Sequence, residues 1–290
     1  MPTHSSGDAT VLIVTTRADD SPFLGALLGE ELPLLAYPCP VVIAACKGPG
    51  QAKVYWKDSR TPEDVSEEAL QAESEQLLYC CSEMRELSEE KRRWLKEIRC
   101  IRIERDNRLL RGGLRLILLT VGYGNLPEQF QAIAPSFDAA VFVGPGLGAL
   151  DALGQRFLSN YLYGARRQDV FFVMDRPDFR EDEQSGLLPH YLAPVFAGKG
   201  GVVDGALLTK RVFHMDAHAA ARARAGKPHG LPPAHAGKPR GLPPAHADPE
   251  TAGSGMAAFE AELFAYLNGK RLLADRVSDA PVAFLHSRIV

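Results

Sequence analysis

Short unbroken apolar runs, the mark of strands buried on both faces, recur along the chain. They fall at Ala9–Arg17 (ATVLIVTTR), Cys39–Gly48 (CPVVIAACKG), Leu114–Gly124 (LRLILLTVGYG), Phe137–Gly144 (FDAAVFVG) and Asp169–Asp175 (DVFFVMD). Cys100–Asp106 (CIRIERD) alternates apolar and polar, which predicts a half-exposed strand. Weaker strand patterns lie at Lys53–Trp56 and Ala206–Asp216.

Helical spacing fills the gaps between these runs. PFLGALLGEEL after the first run, and ALDALGQRFLSNYLYGA before DVFFVMD, both fit helices. The stretch from Thr61 to Cys100 carries an N-cap threonine, Pro62 at the first helical position and acids in the first turn. Basic residues gather at its far end. Leu70, Leu77, Met84 and Ile98, with Cys80, Leu87 and Trp94, form a two-row apolar seam, and Ser88 before two glutamates restarts the helix after a break.

Strands alternating with helices predict an α/β fold, a mainly parallel Rossmann-like sheet of about five to seven strands with helices on both faces. The expected organisation is one α/β domain over 1–216, a disordered insertion over 217–255, and a helix and strand over 256–290 completing the same domain. The insertion is predicted because AGKPHGLPPAH is followed directly by AGKPRGLPPAH, a tandem repeat of eleven residues rich in Pro, Gly, Ala and His. Such a composition buries too little apolar surface to offset its ordering entropy. MAAFEAELFAYLNGKRLLADR then returns to helical spacing, and APVAFLHSRIV reads as a last strand.

Composition adds limits. With 46% apolar and 24% charged residues, the 290-residue chain has ordinary globular proportions. A net charge of −3 with no basic stripe argues against nucleic acid as partner. No apolar run approaches the ~20 residues of a membrane span, so no membrane partner is expected. Five cysteines in no zinc spacing, with no secretory leader, predict reduced thiols and a cytoplasmic location.

The candidate chemistry lies in glycine turns. VFVGPGLGALDALG has the form G-x-G-x-x-A through Gly144, Gly146 and Ala149, with Gly148 as an extra glycine. It follows a strand and opens a helix, where glycines allow close backbone approach and the helix N-terminus offers N–H groups to an anion. An acid, Asp175, ends the next strand and is a candidate acceptor for ribose hydroxyls. Locally this resembles a Rossmann-type dinucleotide unit, although Asp175 lies 31 residues after Gly144 and the unit sits mid-chain. FDAAVFV also resembles the mid-sheet strand of S-adenosylmethionine-dependent enzymes. Those folds carry a glycine-rich loop after their first strand, where this chain has VLIVTTRADDS.

TVGYG (Thr120–Gly124) matches the potassium-channel filter letter for letter, but a filter needs membrane helices around it. Here it reads as a strand end followed by a flexible turn, so that Gly122 and Gly124 share a crevice with Gly144 and Gly146 if their strands are neighbours. HMDAH places His214, Asp216 and His218 on one strand face and resembles the Asp-Ala-His stretch of ureohydrolases, with Ala220 where a further acid belongs. It is read as a solvated strand end, and no metal is expected. The charged run Arg176–Gln184 is read as a solvated loop. No G-x-S-x-G elbow and no G-x-x-x-x-G-K-[ST] loop is present.

Two functions follow from different classes. The reading consistent with more of the chain is a non-catalytic α/β scaffold that contacts a protein partner through the long helix 63–99. The alternative is a domain for a nucleotide- or S-adenosylmethionine-type cofactor, using Gly122, Gly124, Gly144, Gly146 and Gly148 with Asp175.

Overall fold

The computed structural model describes residues 8–15, 21–33, 35, 37–46, 48, 50–58, 60–79, 89–120, 137–144, 169–175, 210–225 and 255–278. Nine strands form one sheet: β1 (Ala9–Thr15), β2 (Val41–Ala45), β3 (Gln51–Trp56), β4 (Glu63–Val65), β5 (Ile98–Arg105), β6 (Leu114–Thr120), β7 (Ala139–Gly144), β8 (Val170–Asp175) and β9 (Val212–Met215). Among the described residues six helices accompany them: α1 (Ser21–Leu28), α2 (Glu67–Tyr79), α3 (Glu89–Glu97), the single turn α4 (Arg108–Arg111), α5 (Ala217–Ala225) and α6 (Met256–Ser278).

The strand order is β4-β3-β5-β2-β6-β1-β7-β8-β9. From β6 to β9 every pairing is parallel. β2 runs antiparallel to β6 and parallel to β5, and β3 is antiparallel to both β5 and β4. The chain is therefore an α/β protein with a mainly parallel, Rossmann-like sheet, as the apolar runs imply. The sheet is wider than expected because Glu63–Val65 covers the edge of β3, giving that strand's outer backbone groups a partner.

The sequence pattern explains which half is buried. β1 is buried at all seven positions and β7 at all six. The odd-numbered residues Val11 and Ile13 join Leu116, Leu118, Val141, Phe171 and Val173 in one cluster with α1, α5 and α6. Their neighbours Leu12, Val14, Phe142 and Phe172 are buried on the opposite face, where Phe142 and Phe172 meet at 6.1 Å. In β3 only alternate residues are buried, so this half of the sheet is one-sided.

The C-terminal helix belongs to the core. Phe259 on α6 meets Phe23 of α1, Phe171 of β8 and Phe213 of β9 with ring centroids 5.5 to 6.3 Å apart. Arg211 lies between the rings of Phe171 and Tyr266, 4.2 and 4.4 Å from their centres. Arg224 on α5 makes two 2.6 Å bonds to the buried Glu260 on α6, and also donates to the carbonyl of Ala26 on α1. At the far end of the strands, Lys270 donates to the Asp138 carbonyl at 2.7 Å and pairs with Asp169 at 2.9 Å. α6 thus spans the sheet from one strand end to the other.

Two expectations change. The continuous helix 63–99 does not form: Glu63–Val65 is a strand, and Ser66 replaces Thr61 as the cap by accepting from the Ala69 N–H. Residues 217–225 are helical rather than irregular, because Asp216 accepts from the Ala219 N–H and starts an alanine-rich turn. The eleven-residue repeat, the helix expected before DVFFVMD and the C-terminal strand lie outside the described residues.

Candidate functional site

In an open α/β sheet, ligands bind outside the carboxyl ends of the strands, where the chain reverses its direction of winding. That point lies at β1. From β1 the chain goes through α1 to β2 on one side of the sheet; from β6 it crosses to β7 on the other. The register aligns Thr15 with Thr120 on one flank and with Val143 on the other. Gly144 lies opposite Met174, and Asp175 opposite Met215. The carboxyl edge therefore runs Thr120, Thr15, Val143–Gly144, Met174–Asp175, Met215.

β6 and β7, the strands that precede the two glycine stretches in sequence, end on the same edge but are not neighbours. Gly122 and Gly124 follow β6 and Gly146 and Gly148 follow β7, with β1 between, so their strands stand about 10 Å apart, twice the usual strand spacing. Those four glycines lie outside the described residues. Gly144 is a buried strand residue without positive φ, so it ends β7 in ordinary extended backbone. Asp175 has a defined structural bond: its Oδ1 accepts from the Ala217 N–H at 2.9 Å and ties the end of β8 to the start of α5.

Sequence reasoning missed the centre of this edge. Thr15 and Thr120 are buried polar residues side by side at the ends of β1 and β6. The connection between Thr15 and Ser21 leads straight to the N-terminus of α1, whose first turn holds no acid. A helix N-terminus at a switch point is a place where such folds can bind an anion. Only the strand order reveals that β1, and not β7, is central. The signal in sequence was the position of VLIVTTR as the first and most apolar strand, since the first βα turn is where such folds place the ligand.

The HMDAH residues separate in role. His214 and His218 are exposed, while Asp216 caps α5. Among the described residues, no group of three or more His, Cys, Asp or Glu could hold a metal ion. Cys39, Cys46 and Cys100 form no disulfide among the described residues, and burial pushes the thiols of Cys39 and Cys100 up from the usual range. No described helix is long and apolar enough to cross a membrane.

No family model matches the chain, and no curated protein does. Solved structures do. Two of them are described as an oligomerised bacterial dynamin pair that provides a mechanism for the long-range sensing and tethering of membranes. One is similar over 94% of this chain and 48% of its own, with a TM-score of 0.62 and 16% identity. The other covers 93% of this chain and 39% of its own, with a TM-score of 0.61 and 15% identity. The chain thus spans less than half the length of either, and at these identities the likeness is one of fold: a dynamin-like α/β sheet.

Two expectations are corrected by this finding. The scaffold reading through helix 63–99 does not stand. Residues 63–65 of its helix form a strand, Leu70 and Leu77 of its seam are buried in the chain's own core, and the fold is shared with structures described as a bacterial dynamin pair. Met84 and Leu87 lie outside the described residues. The expectation of no membrane partner does not stand either, beside structures described as sensing and tethering membranes. It rested on the lack of a spanning segment, and a protein can work on a membrane surface without one.

Proposed function

We propose that this chain is a nucleotide-binding domain built on a dynamin-like fold. The ligand lies at the carboxyl edge of the parallel strands, between the turns carrying Gly122 and Gly124 on one side and Gly144, Gly146 and Gly148 on the other, with Asp175 beside them. The observation that carries this reading is the strand order, which sets β1 at the switch point with a glycine turn after each flanking strand. Glycine after a strand permits close approach of backbone N–H groups to a ligand, and the N-terminus of α1 opens on the same edge.

The test is a thermal-shift series with GTP, ATP, NAD, NADP, FAD and S-adenosylmethionine. A ligand at 100 times its dissociation constant contributes about 2.7 kcal/mol, a rise of roughly 2–4 °C for a chain of this size. The expected result is a rise with a nucleoside phosphate that disappears in Gly146→Val while the melting of the free protein is kept. A flat response to all six overturns the reading.

By the same likeness, the chain is proposed to assemble with further copies and to act at a membrane surface from the cytoplasm. The dynamin pair is described as oligomerised and as tethering membranes, and thiols that form no disulfide among the described residues suit a reducing compartment. Flotation with anionic vesicles, with and without nucleotide, checks this. Protein that stays with the soluble fraction in both conditions contradicts it.

A further inference from the structure

We infer that the corner formed by the end of β3, the end of α3 and the start of β5 is the surface that meets an anionic lipid headgroup layer. The inference rests on the membrane reading above and names the residues that make the contact.

The chain has a net charge of −3, yet between Glu89 and Arg115 it holds ten basic and five acidic residues. The fold sorts these charges. α3 packs Leu95 into the core and leads into Ile98, which is also buried. Arg93 and Lys96, three apart on its outer face, are exposed. β5 then begins with a bulge. Cys100 lies opposite Tyr55 and Ile98 opposite Trp56, so Arg99 is an extra residue between two paired ones, and it too is exposed. The Lys57 N–H donates to the Glu97 carbonyl at 2.8 Å, which brings the exposed Lys57 to the same corner from the end of β3.

Arg60 lies 4.4 Å over the ring of Trp56. It pairs with Asp58 at 2.7 Å and with Glu97 at 2.8 Å, so both of these acids are already engaged. Five cations, Lys57, Arg60, Arg93, Lys96 and Arg99, thus gather around two acids, while Glu89 and Glu90 lie at the opposite end of α3. Trp94 on the same helix is half-buried, its ring edge-on to that of Trp56 at 6.2 Å. A partly exposed tryptophan beside lysine and arginine suits the headgroup layer, where the ring sits at the interface and the cations meet anionic lipid. Past the other end of β5 the charges are matched instead: Arg105 pairs with Glu67, and Arg111 with Asp106 at 3.0 Å. The excess of positive charge therefore belongs to one corner, and it is spread over three elements facing solvent, as a flat anionic surface requires.

The test is flotation of the full chain with vesicles of phosphatidylcholine alone and of phosphatidylcholine mixed with phosphatidylserine. The mixed vesicles are expected to carry the protein and the neutral ones not, and about 1 M salt is expected to release it, since exposed charges are screened there. The triple variant Arg93→Gln/Lys96→Gln/Arg99→Gln is expected to partition at least about tenfold more weakly, because each lost cation weakens contact with an anionic surface. The control Arg108→Gln/Arg111→Gln/Arg222→Gln removes the same charge from exposed positions elsewhere and is expected to float as the wild-type chain does. All six positions are exposed, so both variants are expected to melt with the wild type. Flotation of the triple variant at the wild-type level, or an equal loss in the control, overturns the inference and leaves the membrane reading standing. Equal flotation on neutral vesicles also overturns it, since the contact is then not one of charge. A wild-type chain that floats with neither kind overturns the membrane reading, and this assignment with it. Binding of single-stranded RNA that is lost in the triple variant, without flotation, overturns the lipid assignment in favour of a nucleic acid.

Discussion

At the scale of single residues, Arg224 and Glu260 carry the sharpest energetic commitment. Glu260 is 4% exposed, and burial raises its carboxyl above the usual range while the Arg224 guanidinium opposes that rise. A buried pair is costly to break because one charge is left without its partner. Arg224→Met is expected to lower unfolding stability by about 3–5 kcal/mol at pH 8. The pH dependence follows from the direction of the shift. A carboxyl raised in the folded state binds more protons there than in the unfolded chain, so its contribution falls as pH rises. The Arg224→Met deficit should therefore be smaller at pH 5 than at pH 8, as read by urea denaturation at both; an equal deficit at the two values contradicts the assignment. Gly255 is a second such residue. Its φ is +78°, and a Cβ there would lie 2.0 Å from the His214 carbonyl oxygen. Gly255→Ala is expected to cost about 1–3 kcal/mol by displacing the start of α6, measurable as a drop in Tm.

At the scale of elements, the sheet was legible because buried parallel strands write themselves as unbroken apolar runs. VLIVT, AAVFV and VFFVM became strands within a residue or two of their expected ends, and LRLILLT formed one from its expected start at Leu114. The region 61–100 was legible only in part. Its composition favours a helix throughout, yet Glu63–Val65 pairs with β3 because an open sheet edge offered backbone partners that a local reading does not see. Ser88, where a restart of the helix is expected, lies outside the described residues, and α3 is described from Glu89. The apolar seam of α2 was real, but it faces inward: Leu70 and Leu77 are buried, and Tyr37 donates its hydroxyl to the Leu70 carbonyl at 2.8 Å. Leu77→Ala is accordingly expected to cost about 2–5 kcal/mol of stability, as a core truncation does. Loss of assembly with unchanged melting would instead mean that the residue faces a partner.

At the scale of the whole molecule, function depended on strand order, and strand order is the property least visible in a sequence. Gly122–Gly124 and Gly144–Gly148 read as turns in the sequence, but nothing in their spacing says that β1 runs between the strands they follow. Once the order is known, the end of β1 at Thr15 becomes the centre of the carboxyl edge.

The central claim is one of location: a nucleotide binds at the carboxyl edge around β1. Amide hydrogen exchange of the full chain, with and without saturating GTP, tests it most directly. The account predicts slower exchange in peptides that contain the ends of β1, β6 and β7, around Thr15, Thr120 and Gly144, and no change in β3 or β4 at the far side of the sheet. Protection confined to β3 and β4, or none anywhere, would contradict it.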